Sequence, residues 1–137
     1  MSRKSVLTAA LPLAALAWGL AAAGTADPPT VKEIMGRANK PTGIYFNLGQ
    51  DLKDENPSWP DIQQEAKELA GLAAALRRAA PPKGDKDSWD RLTRTYADNA
   101  WALEKAAAKQ DQAAARAAHA RMGGDACMTC HKAHRPE

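Results

Sequence analysis

DIQQEAKELAGLAAALRRAAPP, residues 61–82, carries Ile62, Ala66, Leu69, Ala73, Leu76 and Ala80 at alternating steps of four and three. That spacing draws one apolar stripe along an α-helix, and Pro81-Pro82 ends it. A striped helix needs apolar partners, and the flanking sequence supplies them. Upstream, Thr30 and Glu33 form a capping-box pattern, and Val31, Ile34, Met35 and Ala38 follow at helical spacing, so a first helix is predicted from about residue 30. Pro41 and Gly43 interrupt it, and Ile44, Tyr45 and Leu48 carry helix on to about Leu52, as one kinked helix or two short ones. Residues 51–60 read as a polar loop. Downstream of a turn at 83–86, Asp87 or Ser88 caps a third helix with the stripe Trp89, Leu92, Tyr96, Asn99 and Leu103. Asp111 caps a fourth after a tight turn at 109–111, sending Ala113 to Met122 back antiparallel, and Gly123-Gly124 loosens it before the cysteines. No run alternates with a period of two. The predicted fold is all-α, an antiparallel four-helix bundle with helices of roughly 30 Å.

Residues 1–26 stand apart. Arg3 and Lys4 lead into an apolar stretch from Val6 to Ala23, then small residues to Ala26, the pattern of a secretory signal peptide with cleavage after Ala23 or Ala26. An uncleaved anchor is the alternative, although the stretch is Ala-rich and carries Pro12. Cleavage after Ala26 leaves residues 27–137 as one domain, with no stable membrane insertion and a periplasmic destination. Without Arg3 and Lys4, the precursor charge of +3 becomes +1, and no basic block marks a nucleic-acid surface. Much of the apolar content is Ala, which builds helix but buries little area. Such a core is thin unless something large and apolar fills it.

Both cysteines of the chain lie in Cys127-Met128-Thr129-Cys130-His131. Two cysteines separated by two residues and followed at once by His form the attachment signature of c-type haem. On a helix, successive residues turn by about 100°, so Cys127, Cys130 and His131 share one face and offer two thiols to the porphyrin edge and an imidazole to the iron. The expected cofactor is one covalent haem c, held by thioethers and ligated by His131. Three other readings fit less well. A Cys127–Cys130 disulfide suits an oxidising compartment, a thioredoxin-like dithiol needs an absent βαβ pattern, and zinc on Cys127, Cys130, His131 and His134 would crowd four ligands into eight residues.

With this motif near its end, the chain resembles the class II c-type cytochromes, the cytochrome c′ family. The layout matches over residues 27–137, and the residue likeness lies in Cys127, Cys130, His131 and Arg135, the last matching the family's basic residue four places beyond the haem-binding His. His134 stands where the family has an aromatic, and Pro41-Thr42-Gly43 is a second departure. In that family the distal side of the iron is either open or filled by a Met from the first helix, and the resemblance puts Met35 in that role. Met128 lies between the cysteines, and Met122 is read as sharing a helix with His131, so neither reaches the other haem face. Relatives are often homodimers.

The resemblance implies a one-electron carrier working with redox partner proteins, since a thioether ligand favours reduced iron. A five-coordinate haem that binds NO or CO is the second hypothesis, and a haem-free helical interaction module the third. No paired carboxylates, nucleophile-base set or phosphate loop stands out, so no enzyme activity is expected. Arg37 and Arg135 are candidate partners for haem propionates. His119 and His134 are read as haem-periphery or surface residues, and Trp59, Trp89 and Trp101 as core or interhelix anchors.

Overall fold

The structure, a computed structural model, describes residues 27–136, and the predicted leader with its cleavage positions lies outside them. Six helices occur in order: α1 (Val31–Ala38), α2 (Ile44–Asp51), α3 (Trp59–Arg78), α4 (Lys86–Ala108), α5 (Gln112–Met122) and α6 (Asp125–His134). The all-α prediction holds, with no strand among the described residues. None of these helices is long and apolar enough to cross a membrane.

The helix ends follow from local chemistry. At α1 the Thr30 hydroxyl accepts from the Glu33 N–H at 3.3 Å, while the Glu33 carboxylate accepts from the Thr30 N–H at 2.7 Å, completing the predicted capping box. Pro41 and Gly43 divide the first region into two short helices rather than one kinked helix. α3 begins at Trp59, two residues before the predicted start, because Pro60 falls in the first turn, where its missing N–H has no intrahelical partner to lose. The cap of α4 also differs from prediction. Gly84, at φ 82°, turns the chain so that Asp85 is the extended residue, and Asp85 rather than Asp87 or Ser88 accepts from the Ser88 N–H at 2.7 Å. Asp111 caps α5 as predicted, accepting from the Ala114 N–H at 3.0 Å.

Packing is most extensive between α3 and α4, then between α4 and α5; α1 and α2 both rest on α3, and α6 rests on α4 and α5. Ile62, Ala66, Leu69, Ala73 and Leu76 are buried along α3 as the stripe requires, whereas Ala80, beyond the helix end, is exposed. The α4 stripe divides in two. Trp89, Thr93, Ala97, Ala100 and Leu103 are buried, while Leu92, Tyr96 and Asn99 are half-buried and line a cavity. The Trp89 indole N–H donates to the Ala79 carbonyl at 2.8 Å, fastening the start of α4 to the end of α3. Trp89 is thus the anchor the sequence anticipates. Trp101 is not, being 42% exposed, whereas Trp59 is half-buried and packs against the core.

Candidate functional site

Gly123 and Gly124 separate α5 from α6 outright, so the last predicted helix is two helices. A Cβ at residue 123 would lie 2.0 Å from the Tyr45 hydroxyl, and glycine is what admits that side chain from α2. Gly124, at φ 57°, then starts the chain in a new direction. Along α6, Cys127, Cys130, His131 and His134 are half-buried or buried, while Met128, Thr129 and Lys132 are exposed. The helical face predicted from the motif spacing is therefore the inward face of α6. Both cysteines are free thiols, and the Cys127 thiol donates to the Met122 carbonyl at 3.2 Å. Burial pushes both thiols up from their ordinary range, and Cys127 adds to the effect at Cys130.

His134 has a different task. Its Nδ1 is 2.8 Å from the Lys83 carbonyl and its Nε2 3.3 Å from the Ser88 hydroxyl, and its ring meets Trp89 edge-on at 5.3 Å. It is 2% exposed and ties α6 to the turn between α3 and α4. Both ring nitrogens are committed, so His134 does not join the cysteines as a zinc ligand. Among the described residues no group of three or more His, Cys, Asp or Glu is placed to hold a metal ion.

The inward face of α6 opens on a cavity of about 220 Å³, and four sequence-predicted residues line it together: Met35, Cys127, Cys130 and His131. The remaining wall is mostly apolar or aromatic and includes Tyr45, Phe46, Leu76, Leu92 and Tyr96. Although α1 and α6 both contribute to this wall, their backbones do not approach each other closely; the cavity occupies the interval between them. Arg121 also lines it, with its Nε donating to the Asn99 side-chain oxygen at 2.9 Å. An apolar chamber bearing two thiols and an imidazole on one helix, a thioether on another and one guanidinium fits the chemistry of haem, an apolar plate with two carboxylates and an iron.

Met35 is held in a defined setting. The Asn39 side-chain amide donates to its sulfur at 3.3 Å, and the Tyr96 hydroxyl donates to the Asn39 side-chain oxygen at 3.3 Å. Burial above all pushes Tyr96 up to about 12, against the opposing effect of the Asn39 bond, so its hydroxyl stays protonated. Met122 requires a correction. It does not share a helix with His131, since it ends α5, and its side chain lines the same cavity. Its carbonyl accepts the Cys127 thiol, however, which keeps this residue beside the two cysteines. Arg37 is exposed and paired with Glu68 of α3, and Arg135 is exposed just after α6; neither lines the cavity. Asn39, Asn99 and Arg121 are site residues that the stripe-based reading did not single out as functional.

A second, more open cleft of about 370 Å³ lies on the other side of Tyr45, with Phe46, Lys53, Arg116 and His119 on its wall. His119 stacks on Tyr45 with centroids 4.1 Å apart, and its Nε2 is 2.7 Å from the Tyr45 carbonyl. No thiol reaches this cleft, and His119 is a packing residue of the α2–α5 contact. Burial lowers its pKa below the ordinary 6.5, Lys53 adds to the lowering, and the bond to Tyr45 opposes it. The unfolded chain therefore takes up the proton first as pH falls. The stabilisation is full above about pH 6.5 and is lost as pH drops through the lower folded value. Thermal melts between about pH 7.5 and pH 5 should show falling stability, with a shallower slope in His119→Gln. Equal slopes in the two proteins would assign the loss to other groups.

Comparison of the chain with protein-family models, with curated proteins and with solved structures returns no match.

Proposed function

We propose that this protein is an exported monohaem c-type cytochrome of the class II type, a four-helix bundle that carries one electron between redox partner proteins in the periplasm. In this reading α1 with α2, α3, α4, and α5 with α6 form the four rods, and the tight turn at 109–111 makes α4 and α5 antiparallel. One observation carries the reading: a cavity held open between α1 and α6, lined by Met35 from one and by Cys127, Cys130 and His131 from the other. The bound haem would supply a one-electron couple. Cys127 and Cys130 would anchor it through thioethers, and His131 would offer the proximal nitrogen. Met35 would take the distal position, and Arg121, already oriented by Asn99, would receive a propionate. The apolar and aromatic walls would keep water from most of the plate, so that the change in iron charge reorders little solvent.

Expression with a haem-attachment system tests this directly. The expected product gives a pyridine haemochrome equivalent to one covalent haem per chain, with a six-coordinate low-spin spectrum and a sulfur-to-iron band at the red end of the visible range. A colourless protein would leave only a helical interaction module. High-spin haem in the intact protein would replace the carrier by a five-coordinate binder of NO or CO.

A further inference from the structure

We propose that Asn39, oriented by Tyr96, is a positioning residue for the Met35 thioether whose hydrogen bond to the sulfur favours the reduced iron; the inference rests on Met35 being the distal ligand.

The sequence places Asn39 four residues after Met35, one turn further along the chain and over the same helix face. It is the C-cap of α1, and its backbone N–H donates to the Met35 carbonyl at 3.0 Å while its side-chain amide donates to the Met35 sulfur at 3.3 Å. One residue therefore holds the preceding turn by both its main chain and its side chain. A methionine has three rotatable side-chain bonds, and without such a restraint its sulfur would sample much of a cavity of this size. The orientation of the amide is fixed from α4. The Tyr96 hydroxyl donates to the Asn39 oxygen, which leaves the amide nitrogen facing the sulfur rather than turned away from it. Met35, Asn39 and Tyr96 all line the cavity that His131 also lines, so this chain of bonds ends at the proposed iron position.

A thioether sulfur has two lone pairs. One directed at iron leaves the other for the Asn39 N–H, and the contact survives ligation without rearranging α1. The N–H presents the positive end of its dipole to the sulfur, in a half-buried site that a bound haem would cover further. Positive charge added at the iron on oxidation is disfavoured by that dipole, so the bond stabilises the ferrous form relative to the ferric one. A residue that merely closed the end of α1 would affect stability and leave the iron alone.

The test uses the holoprotein with Asn39→Leu, which keeps the approximate size and removes the donor, and Tyr96→Phe, which keeps the ring and frees the amide to turn. At a fixed ambient potential, Asn39→Leu should lower the ferrous-to-ferric ratio by about three- to tenfold, where tenfold is about 59 mV for a one-electron couple. The sulfur-to-iron band should shift with it, and Tyr96→Phe should move both in the same direction by less. Unchanged ratio and band in these variants, against an intact protein that shows the band, would overturn the role of Asn39 and leave Met35 as ligand. If Asn39→Leu does not accumulate as holoprotein, an unchanged ratio in Tyr96→Phe has the same force. Absence of the band from the intact protein would overturn Met35 ligation, and the role of Asn39 with it.

Discussion

A Cys127→Ser/Cys130→Ser chain should retain no covalent haem after extraction of loosely held pigment, and it should melt well below the intact holoprotein. The reason lies in what the helices bury. Of the twenty buried apolar residues among those described, ten are alanines, and an alanine side chain is a single methyl group. α3 buries Ala66, Ala70 and Ala73, and α4 buries Ala97 and Ala100, which suits close helix packing but removes little apolar area from water. The larger side chains near the site are incompletely covered: Met35, Tyr45, Leu92 and Tyr96 are half-buried, and Phe46 is 46% exposed. A porphyrin against them would cover the equivalent of one or two large apolar side chains, each worth about 1.5–3 kcal/mol. A loss of about 3 kcal/mol corresponds to a fall in Tm on the order of 15 °C for a domain of this size. Because haem would bind the folded state and not the unfolded one, its removal withdraws that stabilisation. A haem-free double variant that unfolds cooperatively at the holoprotein's Tm would contradict the argument.

The parts of this structure that were legible in the sequence are those set by local chemistry or by strict periodicity. Thr30 with Glu33, and Asp111 ahead of an Ala-rich run, announce helix starts because the orphan N–H groups of a first turn take few kinds of partner. The stripe from Ile62 to Leu76 needs only the period of a helix. Other features depend on tertiary geometry. Asp85 outcompetes Asp87 and Ser88 as a cap only because Gly84 takes a positive φ, and that conformation closes the turn against α6: a Cβ at Gly84 would stand 2.6 Å from the Ala133 carbonyl. Leu92, Tyr96 and Asn99 read as one stripe with Trp89 and Leu103, since a cavity wall and a packed core are equally apolar at this spacing. Which of them faces empty space depends on how far α1 stands from α6. The motif at Cys127 to His131 shows a face of one helix. Apart from Arg121 and Met122 at the end of α5, the residues facing it come from α1 to α4, far from the motif in the chain, and spacing within the motif carries no information about them. Asn39 lay four residues from Met35, a cue to their contact, but nothing local identified its amide as a partner for sulfur.

Met35→Ala and Met122→Ala should part company, and the difference tests the ligand assignment that the break at Gly123-Gly124 made necessary. With α5 and α6 separate, both methionines line the cavity, and a shared helix no longer excludes Met122. Their surroundings differ in two respects. Met122 is fully buried at 0% exposure, and its carbonyl accepts the Cys127 thiol, so its side chain belongs to the core beneath the two cysteines. Met35 is half-buried on α1, a helix whose backbone stands clear of α6, and its sulfur accepts the Asn39 amide inside the cavity. Met122→Ala removes packed atoms and leaves a void, at a cost of about 2–5 kcal/mol in stability, while the low-spin spectrum and the sulfur-to-iron band persist. Met35→Ala removes the sulfur itself. The band should vanish, the haem should become high-spin, the midpoint potential should fall because a thioether no longer favours ferrous iron, and added CO should bind the reduced protein readily. The smaller burial of Met35 makes its effect on Tm the lesser of the two. The reverse pattern, with the band lost in Met122→Ala and kept in Met35→Ala, would transfer the ligand to α5 and place the distal side of the iron against the core rather than against α1. Loss in neither would leave His131 as the one ligand drawn from these three residues.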